Sequence, residues 1–345
     1  MTPTAVIGID VGGTRIKSAV ITPAGAVLDE LVSPTPEHLG DSIGAVTADI
    51  VCSHLARLTS PATGCEPQFV AIAAVGVVVP GVVDDVLGIG RYSANLGWRD
   101  LDLRGLIGRE VDLPLAVGHD VRAGLLAEHR FGAAVGADNV VFVPLGTGIA
   151  SAVLSGGRLL ADPRSGEIGH VMVRADGPPC GCGAHGCLET IASARAIGRR
   201  FTERLASAGD PSAPSTVTSS SGPSSAPSSA ATTAADVAEL VAAAAGSGGG
   251  AAAGDDPRTQ AALEVWHDAV EALASVLAPV AMALGTETVL IGGGLVRSGE
   301  TLLGPLRRAV CARLGAGLTV EVQAAALGDR AGSLGAGVLA LAAIG

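Results

Sequence analysis

Three of the six cysteines, Cys180, Cys182 and Cys187, fall within eight residues of the stretch GEIGHVMVRADGPPCGCGAHGCLE (166–189). Gly181, Gly183 and Gly186 lie among them, and glycine admits the positive φ that lets a short loop aim several side chains at one point. A disulfide takes two cysteines. Three this close suit a soft divalent cation, and zinc completes a tetrahedral shell with a fourth N or S donor. His170, ten residues upstream of Cys180, and His185, inside the loop, are the candidates for that place. Glu167 and Glu189 bracket the loop. Carboxylates held on a rigid frame beside a histidine suit a ligand rich in hydroxyl groups.

Other stretches carry a different chemistry. In DVGGT (10–14), Gly12 and Gly13 let the backbone approach a ligand without a Cβ in the way. Its amides, with Thr14 and Lys17, could face an anion, while Asp10 could hold Mg²⁺ through water. A single such turn is weak evidence, but PLGTGIA (144–150) repeats it with Gly146, Thr147 and Gly148. Two strand–turn–strand units of this kind make a pair of clamps for a polyphosphate. IGGG (291–294) adds a strand running into Gly292, Gly293 and Gly294, a place where a nucleotide can lie against the backbone at a helix start. Asp120 follows the strand pattern LPLAVGH and precedes a helix pattern with Leu125, Leu126 and Phe131 on its apolar side. Ligands bind at strand ends in open α/β sheets, where a carboxylate can take the proton of a hydroxyl nucleophile. Helix capping is the plain alternative for Asp120. Asn95, in the loop SANLGW, offers both a donor and an acceptor.

The elements that must position these groups alternate between strands and helices. AVIGID, RIKSAVI and AVLDELV read as strands, 40–58 as a helix, and FVAIAAVGVVV as a strand buried on both faces. Helices are expected at 101–110, 191–207 and 258–284, the last bent or ended near Pro279, and at the C-terminus. SAGDPSAPSTVTSSSGPSSAPSSAATTAA (207–235) and GSGGGAAAGDDP (246–257) have too little apolar content to offset ordering entropy. They read as a disordered insertion around a short helix, to which no function is assigned.

With 345 residues, two domains are expected. A net charge of −11 and 2% aromatic residues argue against nucleic acid or an anionic membrane as partner. The scattered Cys52, Cys65 and Cys311 fit a reducing compartment. The start MTPTAVIGID lacks a signal-peptide pattern and the apolar runs near 274–284 and 334–344 are short for a span, so a soluble cytoplasmic protein is expected.

DVGGTRIK, PLGTGIA, GEIGH, CGCGAHGCLE and IGGGLVRSG in this order resemble the ROK family of bacterial sugar kinases and repressors, over all of the chain but 207–257. The resemblance implies an α/β, two-domain actin-like ATPase (ribonuclease H-like) fold with a cleft between the domains. It suggests a small domain of 1–117 plus 330–345 and a large one of 118–329 that carries the zinc loop 170–187. It implies ATP-dependent phosphorylation of a hexose at its 6-hydroxyl, glucokinase-like, with Asp120 as base. Asn95, His119, Glu167, His170 and Glu189 would contact the sugar. Zn²⁺ would be held by His170, Cys180, Cys182 and Cys187, which selects His170 over His185. The glycine turns would hold ATP and its Mg²⁺. Family members are commonly dimers or tetramers. Two departures stand out: His119 replaces the asparagine usual before the catalytic aspartate, and Ala150 replaces a third glycine after the second turn. N-acetylmannosamine, fructose, mannose or allose as substrate, and polyphosphate as donor, remain open. So does a sugar-sensing repressor, which would carry a helix-turn-helix ahead of a strand that here begins by residue 5, and so does a catalytically silent sugar-binding protein.

Overall fold

A computed structural model describes residues 4–59, 70–208, 232–246, 256–315 and 317–345. Cys65, and residues 209–231 and 247–255 of the expected disordered insertion, lie outside the described residues. The chain divides into two compact units: Met1–Gly136 with Leu159–Ser165 and Ala326–Gly345, and Ala137–Arg158 with Gly166–Ala325.

The first unit opens with β1 (Thr4–Val11), β2 (Arg15–Ile21), β3 (Val27–Pro34) and α1 (Ile43–Thr59). It continues with β4 (Ala71–Val79), β5 (Val82–Asp84), β6 (Ile89–Ser93), β7 (Trp98–Asp102), α2 (Leu103–Gly108), β8 (Leu115–His119) and α3 (Asp120–Phe131). In the second unit follow β9 (Val140–Pro144), β10 (Ala152–Ser155), β11 (Arg158–Leu159), α4 (Leu188–Ala192), α5 (Ala194–Ser207) and α6 (Ala234–Gly246). Then come α7 (Pro257–Leu284), β12 (Thr288–Gly292), α8 (Glu300–Cys311) and β13 (Glu321–Ala324), and α9 (Ala331–Ala342) returns to the first unit.

The main sheet of the first unit runs β3-β2-β1-β4-β8. Its first three strands are an antiparallel meander, and β4 and β8 add in parallel. Strand period sends Ile7, Ile9 and Val11 of β1 into one apolar cluster and Val6 into another. β4 does the same with Val75, Val77 and Val79 against Ala74 and Val78. An unbroken apolar strand is therefore covered on both faces, and each fully buried Val or Ile contributes about 1.5–3 kcal/mol. On one face α9 lies so close that a Cβ on Gly76 would overlap the Ala336 carbonyl oxygen, so glycine is the residue that fits there. α3 packs along α9. The fully buried Glu128 of α3 accepts hydrogen bonds from the amides of Ala133, Ala326 and Leu327, which ties α3 to the segment leading into α9. α3 thus belongs to the first unit, and the division falls after Gly136 instead of at 117/118. Its packing partner lies some two hundred residues downstream, where no local pattern can point to it.

The second sheet runs β11-β10-β9-β12-β13, the order of the first: a hairpin beside parallel strands. α7 starts at Asp256, whose carboxylate accepts from the Arg258 and Thr259 amides, and it ends at Gly285 in the left-handed region. It runs through Pro279 to Leu284. Among the described residues α7 alone is long and apolar enough to cross a membrane, but its Val265, Leu273 and Leu277 are buried in the core of this unit. α6 is the short helix expected between the low-complexity stretches, and its Val237 and Ala238 are buried in that same core, so it packs as part of this unit.

A buried polar chain fastens three elements of the first unit. Ser18 Oγ of β2 lies 2.8 Å from His54 Nε2 of α1, and His54 Nδ1 lies 2.8 Å from Asp29 Oδ2 of β3. The carboxylate can only accept, so Nδ1 carries the proton and Nε2 accepts from the serine hydroxyl. This is the order of a hydrolytic triad, but Ser18 and His54 are 4% and 0% exposed, which leaves a substrate no access. It is a structural clamp. Replacing His54 by leucine leaves Ser18 buried without its partner. Urea denaturation should then show a loss of about 2–4 kcal/mol, and a change under about 0.5 kcal/mol would contradict the clamp.

Candidate active site and metal centre

In the first unit, Asp120 is the first residue of α3, directly after β8. His119 caps the helix: its Nδ1 accepts from the Arg122 amide at 3.4 Å. Asp120 is therefore not the cap, and its Oδ1 accepts from the neighbouring Val121 amide at 2.7 Å. Burial, reinforced by the charge of Asp10, pushes the Asp120 carboxyl up to about 7. Burial likewise raises Asp10 to about 6, against the pull of Lys17. His119 moves the other way, to about 3, through burial and the nearby Arg122 cation. It is neutral at physiological pH, so its Nε2, 3.3 Å from Asp120 Oδ1, carries the proton. One ring nitrogen of His119 is thus engaged by the Arg122 amide, and the other faces Asp120. Arg122 is held by Asp85 and the Val83 carbonyl.

The turn 12–14 joins β1 to β2. The Gly12 amide donates to the Arg15 carbonyl at 3.0 Å, so it is not available to an anion, whereas Gly13 and Thr14 are exposed. Thr35 braces the turn by donating to the Gly12 and Thr14 carbonyls. Asn95, in the loop after β6, stands beside Gly13: a Cβ built there would be 3.4 Å from that of Asn95. Lys17 sits opposite Asp10 in the β1–β2 register, but its Nζ donates to the Asp329 carbonyl at 3.3 Å and lies 3.9 Å from the Asp329 carboxylate. It therefore faces a protein partner.

In the second unit the equivalent turn, 146–148, joins β9 to β10, with Thr147 exposed at its tip. The Leu145 amide donates to the Gly292 carbonyl and the Leu295 amide to the Leu145 carbonyl, so the Gly292–Gly294 segment is laced onto this turn. Gly293, at φ +75°, packs its α-carbon against Leu145, where a Cβ would collide. Beside Gly294 opens a cavity of about 530 Å³, lined by Arg297, Ser298 and Thr301 on one side and Ala238 and Glu239 of α6 on the other. The α6 wall was not legible as part of a site: its sequence is alanine-rich and sits between low-complexity stretches.

The metal loop is a small hairpin. The Gly186 amide donates to the Pro178 carbonyl and the Cys180 amide to the Ala184 carbonyl, and the Leu188 amide reaches back to Val171. Gly186, at φ +62°, lies against the Arg174 carbonyl with no room for a side chain. The turn brings His170, Cys180, Cys182 and Cys187 together with one donor atom each, all within 4.8 Å of one another. Nδ1 of His170 is 3.5 Å from the Cys180 sulfur, and Cys182 and Cys187 sulfurs are 3.7 Å apart. Burial pushes the Cys187 thiol up to about 12, so it stays protonated unless a cation takes the proton's place. One imidazole and three sulfurs fit zinc. His185 is exposed, pairs with Pro179 through the backbone, and is not in the cluster. The other ring nitrogen of His170, Nε2, lies 3.7 Å from Glu167. Glu189 Oε2 accepts from the Ile149 amide at 2.9 Å, which sets its carboxylate against the 146–148 turn.

Two sheets of one order, each with a glycine turn in its hairpin, define the two-domain actin-like ATPase fold. The ROK family profile matches residues 6–343, and the chain belongs to that family. It is 32% identical over 340 residues to a glucokinase of Halalkalibacterium halodurans, covering 96% of this chain and 94% of that one. It is 34% identical over 206 residues to an N-acetylmannosamine kinase of Escherichia coli O157:H7, covering 59% of this chain and 66% of that one. Among solved structures it is similar to a ROK family glucokinase from Streptomyces griseus in complex with glucose and AMPPNP, at 28% identity and a TM-score of 0.73, covering 98% of this chain and 99% of that one.

The raised pKa of Asp120 has a cost to stability. A carboxyl whose folded pKa exceeds its unfolded value of 3.8 contributes fully below pH 4, and that contribution is lost as pH rises through about 7. The side chain is 29% exposed, so solvent screens part of the effect. Asp120→Asn should be more stable than wild type by about 1–3 kcal/mol at pH 8, with the gap closing near pH 4. Parallel denaturation curves at the two pH values check this, and equal stability at pH 8 would contradict it.

Proposed function

We propose that this chain is a sugar kinase that transfers the γ-phosphoryl group of ATP to the 6-hydroxyl of a hexose, with glucose as substrate. The observation that carries the reading is Asp120: a partly desolvated carboxylate at a strand end, held near pKa 7, is suited to accept an alcohol proton at neutral pH. The glucokinase relative and the glucose and AMPPNP complex of the Streptomyces griseus enzyme support the same assignment. The partial match to an N-acetylmannosamine kinase keeps N-acetylhexosamines as the second reading.

In this mechanism Asp120 takes the proton of the 6-hydroxyl as the new O–P bond forms and the bond to the β-phosphate oxygen breaks, releasing ADP. His119 stands beside Asp120 and contributes neutrality, so it does not compete for the proton. Asn95, Glu167, His170 and Glu189 hold the other hydroxyls through hydrogen bonds that fix the reacting one. The exposed amides of Gly13 and Thr14, with Thr147 at the second turn, bind phosphate oxygens. Gly292–Gly294 and the cavity walled by α6 take the adenosine. Asp10 would hold Mg²⁺ through water, and the ion would supply charge neutralisation on the phosphates. His170, Cys180, Cys182 and Cys187 would hold zinc, which would close the loop and fix the orientation of the His170 ring toward the ligand. The scattered cysteines and the need for ATP support a cytoplasmic location.

Coupled ADP release with Mg-ATP against a panel of hexoses and N-acetylhexosamines tests the reading. Glucose should give the highest kcat/KM, from protein carrying about one zinc per chain. Asp120→Ala should lower kcat roughly 10²–10⁴-fold with zinc content unchanged. Turnover within a few-fold of wild type in that variant would remove Asp120 as base, and a preference for N-acetylmannosamine would select the second reading.

A further inference from the structure

The metal loop and the second glycine turn meet at one side chain. Cys187, a metal donor and fully buried, directly precedes α4, and the Leu188 amide fixes this point to Val171. Glu189, two residues on, extends its carboxylate to the Ile149 amide at 2.9 Å. Gly148 makes the room: a Cβ there would overlap Glu189 Oε2. From the same stretch, the Ser193 amide donates to the Glu189 carbonyl at 3.3 Å and the Ala194 amide donates to the Gly146 carbonyl at 2.9 Å. The turn is thus gripped on both sides by residues 189–194, which begin where the metal loop ends. A charged acceptor on a backbone N–H is among the stronger hydrogen bonds, and the sugar-contact role assigned to Glu189 does not require it.

We propose that Glu189 is a positioning residue for the nucleotide: it clamps the 146–148 turn to the metal loop, so that phosphate binding and metal retention support each other. The proposal rests on the reading of 146–148 as a phosphate turn. Through Oε2, Glu189 holds the turn in the shape that presents Thr147. Oε1 has no hydrogen bond among the described residues and remains for a substrate hydroxyl. Because coupling between two bound groups is reciprocal in binding free energy, a nucleotide that needs the clamped turn must also tighten the hold on zinc. Glutamine at 189 keeps an acceptor of the same reach for the Ile149 amide. Alanine removes it.

The test uses the zinc-loaded full chain without sugar, with Mg-AMPPNP affinity read by calorimetry. Glu189→Gln should bind within about threefold of wild type, and Glu189→Ala about tenfold more weakly, the loss that one hydrogen bond to a charged group carries. Gly148→Ala, which pushes the carboxylate off the turn from the other side, should fall in the range of Glu189→Ala. In a second readout, the equilibrium share of zinc that the protein keeps against a colorimetric chelator should rise with Mg-AMPPNP in wild type and in Glu189→Gln, but not in Glu189→Ala. Wild-type affinity in both Glu189→Ala and Gly148→Ala would overturn the clamp alone. Wild-type protein that does not bind Mg-AMPPNP would overturn the nucleotide reading and the clamp with it.

Discussion

Desolvation of two carboxylates is the constraint on which the rest of the first unit depends. Asp10 in β1 and Asp120 after β8 both sit at the ends of strands that run parallel through β4. Burial raises both, and the charge of Asp10 adds to the cost of charging Asp120. A fold does not retain such groups for stability. It offsets them with the well-packed core around Ile7, Ile9, Val75 and Val77 and with the close seating of α9 on glycines of β1 and β4. Gly332, where a side chain would overlap the Asp10 carboxylate, belongs to the same arrangement.

The second unit solves a different problem, that of fixing flexible polar groups. Its glycine turn, three-glycine segment and metal loop would each be loose alone. Leu145 laces the first two together through backbone hydrogen bonds, and Glu189 joins the turn to the loop. Cross-links from the core reach the loop as well: Asp268 of α7 pairs with both Arg174 in the loop and Arg200 of α5. The order imposed on His170 and Glu167 therefore extends back to the buried helices.

Much of this was legible in the sequence because the governing physics is local. Strand-length apolar runs placed β1 and β4, helical spacing placed α7, and the crowding of Cys180, Cys182 and Cys187 marked a candidate metal loop before any fold was known. What was not legible depends on distant partners. Spacing left His170 and His185 equal; the resemblance favoured His170, and the turn at Gly186 brings its Nδ1 to the sulfurs. Lys17 read as an anion ligand from its turn alone, and no local pattern could show Asp329, three hundred residues on, as its neighbour. The Gly12 amide is consumed by its own turn. α6 is alanine-rich between low-complexity stretches, and only its packing shows it to be core and cavity wall. His119 could be marked as unusual, but its two ring contacts come from the cap geometry of α3.

The central claim is that burial has made Asp120 a base for neutral pH, and the pH dependence of kcat/KM for the preferred sugar tests it most directly. Below the base's pKa the rate should fall tenfold per pH unit. An acid limb with its midpoint near 7, as the buried carboxyl requires, and absent from the residual activity of Asp120→Ala, is the result expected. A limb near 4, where an ordinary solvated aspartate titrates, or one near 7 that persists in Asp120→Ala, would contradict the account.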